Sequence, residues 1–125
     1  MKIQQPFPKQ ALTELAFTCA TNGCIEECYS ISDGIAAVYK SSPLPFLLKA
    51  ISQLNVEQPF IALQLLEDDA LPLDPDNPTI KVLIGFAYIR SGHYEKGHSL
   101  LKLLSDESAN HDQPSRALAL EFLAA

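Results

Sequence analysis

The stretch from Ile84 to Gly97 reads IGFAYIRSGHYEKG and holds three of the five glycines in a chain of 125 residues. A glycine inside a helix costs about 1 kcal/mol relative to alanine. Gly85 therefore needs a packing reason, whereas Gly92 stands where a turn would separate two helices. The stretch predicts two antiparallel helices that pack closely and are joined by a short turn.

The same pattern occurs three times along the chain, at spacings of 34 and then 35 residues. The first set of small residues is Ala16, Ala50 and Gly85; the second is Cys28, Ala62 and Gly97. Small residues on facing helices let two backbones approach, and large apolar residues then fill the flanks. A period of this length is typical of stacked helical pairs.

The repeat predicts a single all-α domain over residues 1–125, with repeats at 9–42, 43–76 and 77–112 and a capping helix at 113–125. Proline-rich connections, Ser41–Pro45 and Asp74–Pro78, separate the repeats. The predicted helices are 9–21, 24–39, 44–55, 58–71, 78–91, 94–105 and 114–124.

Composition excludes several functional classes. The net charge is −6 and no basic run is present, which argues against nucleic acid and against a membrane surface as partner. No apolar stretch reaches the roughly 18 residues of a membrane span, and the first ten residues lack the apolar region of a signal peptide. We therefore expect a cytoplasmic protein whose three cysteines are reduced thiols.

The third repeat resembles the tetratricopeptide (TPR) repeat. The positions that carry the resemblance are Gly85, Tyr88, Gly92, Tyr94, Gly97 and Leu101, with Asp74-Pro75 before them. Lys81 departs from the usual large aromatic residue, Gly97 departs from the usual alanine, and the middle repeat has one extra residue near its end. The resemblance implies a right-handed superhelix of about three repeats, whose concave face is lined by the first helix of each repeat.

Mapping the TPR pattern onto the chain gives a predicted groove for a partner helix. Its residues are Phe17, Leu47, Ile51, Leu54, Val82, Phe86, Ile89 and Arg90. Only Arg90 is charged, so the groove lacks the cluster of Lys, Arg and Asn that grips a carboxylate and suits an amphipathic helix instead. Helical periodicity alone does not distinguish such a groove from a core face, so both interpretations stay open for each residue.

The chain further resembles the needle-subunit chaperones of bacterial type III secretion (the YscG/PscG-like family). The resemblance lies in NGCIEECYSI from Asn22, in the final repeat, and in the shared length, acidity and repeat number. It implies a bacterial cytoplasmic chaperone that covers the amphipathic C-terminal helix of a small needle subunit and so prevents premature polymerisation.

The same resemblance implies a second partner, a small helical-hairpin co-chaperone, on the N-terminal repeat. The residues expected to face it are Leu12, Leu15, Ile31, Ile35 and Val38. Self-association of the unbound chain is a further expectation, because a bare apolar groove favours it. The alternatives are a TPR chaperone for secretion translocators and a general TPR protein–protein adaptor.

No motif predicts an enzyme, a cofactor or a metal site. The chain has no nucleotide-binding, zinc-protease or serine-hydrolase pattern. Cys19, Cys24 and Cys28 lack zinc-ligand spacing, and we expect Cys19 and Cys28 to pack between helices. The histidines, His93, His98 and His111, form no motif, and the acidic residues of 67–76 suit either solvent or a lysine-rich partner.

Overall fold

The computed structural model describes residues 9–105, and that part of the chain is all-α, with helices joined by short turns and no strand, as the sequence predicts. The helices are α1 (Lys9–Thr21), α2 (Ile25–Val38), α3 (Leu44–Asn55), α4 (Pro59–Gln64), α5 (Pro78–Arg90) and α6 (Tyr94–Ser105). A π-helical segment (Leu65–Ala70) and a 3₁₀ turn (Leu71–Leu73) extend α4. The predicted helix at 114–124, the capping segment 113–125 and His111 lie outside the described residues. No helix within 9–105 has the length and apolar character needed to cross a bilayer.

The turns between paired helices share one backbone feature, a residue with positive φ at the same position of each repeat. Gly23 and Gly92 have positive φ, at 80° and 96°. The position between them in the period is Glu57, which also has positive φ, at 61°. Left-handed backbone is unfavourable for a residue with a Cβ, so the turn geometry, rather than the residue type, is what the three positions share.

The start of α5 is fixed by local chemistry. The Asn77 side chain accepts hydrogen bonds from the backbone N–H of Thr79 at 2.9 Å and of Ile80 at 3.3 Å. Pro78 occupies the first turn, where its missing N–H has no helical partner to lose. The proline-rich connection before α5 therefore positions the helix as well as separating the repeats.

The small residues of the repeat lie where helices meet. Ala16, Ala50, Cys28 and Ala62 have no exposed surface, and Gly85 and Gly97 are buried in α5 and α6. Three apolar clusters surround these contacts. One joins α1, α2 and α3, one joins α3, α4 and α5, and the third joins α5 to α6 through Val82, Leu101 and Leu104.

The extra residue of the second period is absorbed by the π-helical segment. The spacing grows from 34 to 35 between Ala62 and Gly85, and the segment Leu65–Ala70 lies in that interval. One residue inserted into an α-helix produces such a wide turn, because the surplus is confined to one turn instead of rotating everything that follows. Leu66 and Ala70 both remain fully buried across it.

Deleting the exposed Asp68 is therefore expected to change the free energy of unfolding by no more than about 1 kcal/mol. The deletion converts the wide turn to an ordinary α-helical one and keeps Leu66 and Ala70 on one face. Deleting Lys81 from α5 instead rotates the flanking faces by about 100° and should abolish cooperative unfolding. Urea denaturation of both variants measures the contrast, and comparable losses of stability would contradict this origin of the π-helical segment.

Candidate protein-binding groove

The first helices of the three pairs, α1, α3 and α5, line a common depression. Its wall includes three residues that are equivalent in the repeat, at spacings of 34 and 35: Phe17, Ile51 and Phe86. A second set of equivalent residues also lines the depression: Thr21, Asn55 and Arg90. Each of them belongs to the last turn of its helix. The three helices therefore run in the same direction alongside it.

Two adjoining depressions form this surface, which we call the groove. The first has a volume of about 430 Å³ and is lined by Phe17, Thr21, Ile51, Leu54, Asn55, Glu57, Leu83, Phe86 and Arg90. The second has a volume of about 390 Å³ and is lined by Thr13, Glu14, Phe17, Thr18, Leu44, Leu47, Leu48, Ile51, Thr79 and Leu83. Because Phe17, Ile51 and Leu83 line both, the groove is continuous. From Leu44 to Asn55 it extends about 16 Å at 1.5 Å per residue, which is three turns of a helix.

The floor of the groove is apolar, and its most accessible large side chain is aromatic. Phe17 is 48% exposed although it lies between fully buried neighbours on α1, Ala16 and Ala20. Leu47 and Leu54 are 7% and 8% exposed, so they contribute mainly to the core beneath the groove. An aromatic ring that lies over an apolar floor offers the kind of surface that a partner's apolar side chains can cover.

One end of the groove carries an ion pair. Arg90 Nη2 donates to Glu57 Oε2, and the Arg90 guanidinium lies over the Phe86 ring with its carbon 5.8 Å from the ring centroid. The Glu57 side chain is 66% exposed and the Arg90 side chain 39%. A pair this accessible to water contributes about 0–1 kcal/mol, so a ligand carboxylate can exchange with Glu57 at small cost.

The predicted groove residues Val82 and Ile89 lie elsewhere, and their assignment to the groove is wrong. Val82 has no exposed surface and packs against Leu101 and Leu104 of α6, and Ile89 packs on the same cluster. On α5 the stripe that faces the groove is 79, 83, 86 and 90, whereas 82, 85 and 89 face α6. Because α5 is apolar on nearly all sides, its sequence pattern does not show which stripe faces which neighbour.

Leu83 and Glu57 line the groove but were not predicted to do so. Residues 79, 83, 86 and 90 share one face of α5, so assigning any one of them to the groove also assigns Leu83 to it. Glu57 occupies the period position of Gly23 and Gly92, and that alignment marks it as a non-glycine residue in a left-handed turn. The repeat period therefore identifies Glu57 as the turn residue of the second repeat.

The five residues predicted to face a co-chaperone do not form one exposed surface. Ile35 has no exposed surface and belongs to the core between α1, α2 and α3, so its assignment to a binding face is wrong. Leu12 and Ile31 pack partly on the same core. Leu15 and Val38 are both 52% exposed.

The cysteines differ widely in accessibility. Cys28 is fully buried, its Sγ donates to the Leu48 carbonyl at 3.5 Å, and burial raises the pKa of its thiol. Cys19 is half-buried and Cys24 is exposed. Within residues 9–105, no three His, Cys, Asp or Glu side chains are grouped so that they could hold a metal ion. Cys28 is thus a packing residue with a suppressed thiolate.

We expect a disulfide reagent to modify Cys24 at least about a hundredfold faster than Cys28, because reaction requires an accessible thiolate. Timed labelling with Ellman's reagent, followed by peptide mass spectrometry, measures both rates. Urea should make the rates converge, since unfolding exposes both thiols. Equal rates in the folded protein would show that the packing around Cys28 opens readily.

The acidic residues between α4 and α5 are partly used in the structure. Tyr88 Oη donates to Glu67 Oε2 at 2.6 Å, and this bond to a carboxylate raises the pKa of Tyr88. Asp74 accepts from Asn77 Nδ2 at 3.0 Å, while Asp68 and Asp69 are exposed. His93 and His98 are exposed, and His93 Nδ1 lies 3.1 Å from Ser91 Oγ. Glu67 thus joins its segment to α5, and Asp74 and His93 form hydrogen bonds within turns.

No family model matches this sequence, and no curated protein matches it either.

Proposed function

We propose that this chain is a helical-repeat binding protein that holds an amphipathic α-helix of a partner in the groove. The observation that carries the proposal is the groove itself, an apolar floor along three parallel helices with Phe17 half-exposed upon it. Its length of about three helical turns matches the i, i+3, i+4, i+7 anchors of a helix bound in a groove. The role requires burial of apolar surface and no catalytic step.

The architecture proposed with this role is a right-handed TPR-like superhelix. Three observations support it: the recurring left-handed turns, the burial of both small-residue sets, and the alignment of α1, α3 and α5 along one depression. Gly97 in place of alanine is compatible with it, because α5 and α6 touch at Gly97. The absence of a large aromatic at Lys81 remains a departure from the TPR pattern.

The biological setting we propose is bacterial type III secretion, in the cytoplasm, with a small needle subunit as the partner. Such a subunit polymerises through an amphipathic helix, and covering that helix stabilises the unassembled state by mass action. The apolar groove supports this, since the described residues that line it include only three charged side chains, Glu14, Glu57 and Arg90, and form no basic cluster of the kind that grips a carboxylate. A hairpin co-chaperone would find exposed apolar side chains at Leu15 and Val38.

The test is a titration with a synthetic amphipathic helix. A fluorescent peptide of about 18 residues, with leucine and phenylalanine at i, i+3, i+4 and i+7, is compared with a scrambled peptide of the same composition. We expect the amphipathic peptide to bind at least about tenfold more tightly, with shifts of the Phe17 and Ile51 resonances. Equal binding would reject the proposal. Capture only of a folded protein would favour the adaptor, and capture of a translocator the alternative chaperone.

A further inference from the structure

The described part of the chain stops close to the groove. α5 and α6 are joined by a short turn and pack against each other in opposite directions, so Val82 of α5 and Leu104 at the end of α6 share one cluster. Ser105 therefore lies beside the first turn of α5, and Thr79 of that turn lines the groove. Packed helices lie about 8–10 Å apart, so the chain leaves α6 about one helix diameter from this end of the groove.

The connection that follows α6 is long enough to reach the groove. Residues 106–113 span up to about 29 Å when extended, at about 3.3–3.6 Å per residue. An α-helix with its side chains is about 10–12 Å across. The residues after position 113 are therefore within reach of the groove without any change in the described helices.

Segment 114–125 reads PSRALALEFLAA and has the composition of a groove-bound helix. It holds three leucines, four alanines and one phenylalanine, and only two charged residues. Leu118, Phe122 and Ala125 stand at the i, i+4, i+7 spacing with which a helix anchors in an apolar groove. A helix of this length is about 18 Å long, close to the groove's length of about 16 Å. The chain thus contains a ligand of the kind that the groove accommodates.

The alternative position for this segment is the end of the helical stack, where the repeat predicts a cap. The exposed large apolar side chains of α6 are Tyr94 and Leu103. At about 100° per residue they lie on opposite sides of the helix, so among the described residues they form no continuous apolar stripe. In the groove, Ile51 and Leu83 line both depressions and join them into one apolar surface. The groove is therefore the described surface that matches the anchors of the segment.

We propose that segment 114–125 occupies the groove of its own chain until a partner helix displaces it. A segment tethered this closely has an effective concentration of the order of 1 mM, so modest contacts are enough to keep it bound. Occupancy covers the apolar floor, which would otherwise favour self-association. The displacement step rests on the proposed function, whereas occupancy itself requires no partner and is measured separately.

Nuclear Overhauser spectroscopy on the unaltered chain locates the segment. We expect cross-peaks between the Phe122 ring and the methyl groups of Ile51 and Leu83, which line both depressions. A sample that mixes isotopically labelled and unlabelled chains separates contacts within one chain from contacts between two. Cross-peaks from Phe122 to α6 alone would make the segment a cap of the stack, and cross-peaks between two chains would make a second copy the occupant. Either result would overturn the inference.

Competition with the amphipathic peptide tests the displacement step. We expect Phe122→Asp to strengthen binding of the peptide by about three- to tenfold, because an occupied groove lowers the apparent affinity by the fraction that remains free. Ala124→Asp is the matched control, since it changes the net charge equally but lies on the opposite side of such a helix, and it should leave the affinity within about twofold. Equal affinity of the Phe122→Asp variant and the unaltered chain would refute displacement. Failure of the peptide to bind any variant, with the cross-peaks present, would reject the proposed function and leave occupancy in place.

Discussion

Replacing Gly97 with alanine should destabilise the folded chain by about 1–3 kcal/mol, although alanine is the better helix former by about 1 kcal/mol. A Cβ built on Gly97 would lie 2.6 Å from the Gly85 carbonyl oxygen, 2.6 Å from Ile89 Cγ1 and 3.0 Å from the Ile89 backbone nitrogen. Two of these atoms belong to the backbone of α5, so a side-chain rotation does not relieve the overlap. The helices must separate, which loosens the Val82–Leu101–Leu104 cluster between them.

Two other helical glycines provide controls of graded severity. A Cβ on Gly85 would meet the flexible Leu101 side chain at 3.0 Å, so Gly85→Ala should cost less than Gly97→Ala. A Cβ on Gly34 of α2 meets nothing within 4 Å, so Gly34→Ala should stabilise the protein by about 0.5–1 kcal/mol. Urea unfolding of the three variants gives the order. If Gly97→Ala equals Gly34→Ala in stability, α5 and α6 do not approach as closely as the structure shows.

The helices and turns could be predicted from the sequence because backbone constraints leave direct marks on residue type. Gly23 and Gly92 occupy left-handed turns, and a small residue is required wherever two helices touch. These constraints recur at the same spacing, so a period in the sequence locates them. The wide turn at Leu65–Ala70 could not be predicted in this way, because its only sequence signal is one extra residue. An extra residue is equally compatible with a longer loop.

The groove could be predicted only in part, because its residues and the core residues share the same chemistry. Phe17, Ile51 and Phe86 line the groove, while Val82 and Ile89 belong to the contact with α6. In α5 a shift of one residue, about 100° of rotation, separates the two roles. Ile35 shows the same limit, since an isoleucine on an amphipathic helix suits a core and a binding face equally.

The second large effect is expected at Phe17, where aspartate should reduce affinity for an amphipathic helix by about 10- to 100-fold. Full burial of a phenylalanine side chain contributes about 1.5–3 kcal/mol, and an aspartate in its place adds the cost of desolvating a carboxylate. Phe17 is suitable because it is 48% exposed before binding, so folding depends little on it. Leu47 and Leu54 are unsuitable, since their substitution would damage the core itself. Fluorescence anisotropy with the amphipathic peptide measures the affinity, and urea unfolding measures the stability.

Leu15→Asp is the matched control, since Leu15 lies two residues from Phe17 on the same helix and is 52% exposed, yet does not line the groove. It changes the net charge as Phe17→Asp does and also removes a half-exposed apolar side chain, but outside the groove, so it should leave peptide affinity within about twofold. Of these two residues only Phe17 lines the groove, so a loss confined to Phe17→Asp locates the peptide there. If both variants lose affinity equally while remaining folded, the helix binds elsewhere on α1. If neither loses affinity, the half-exposed ring is not a binding residue, and the groove loses its role.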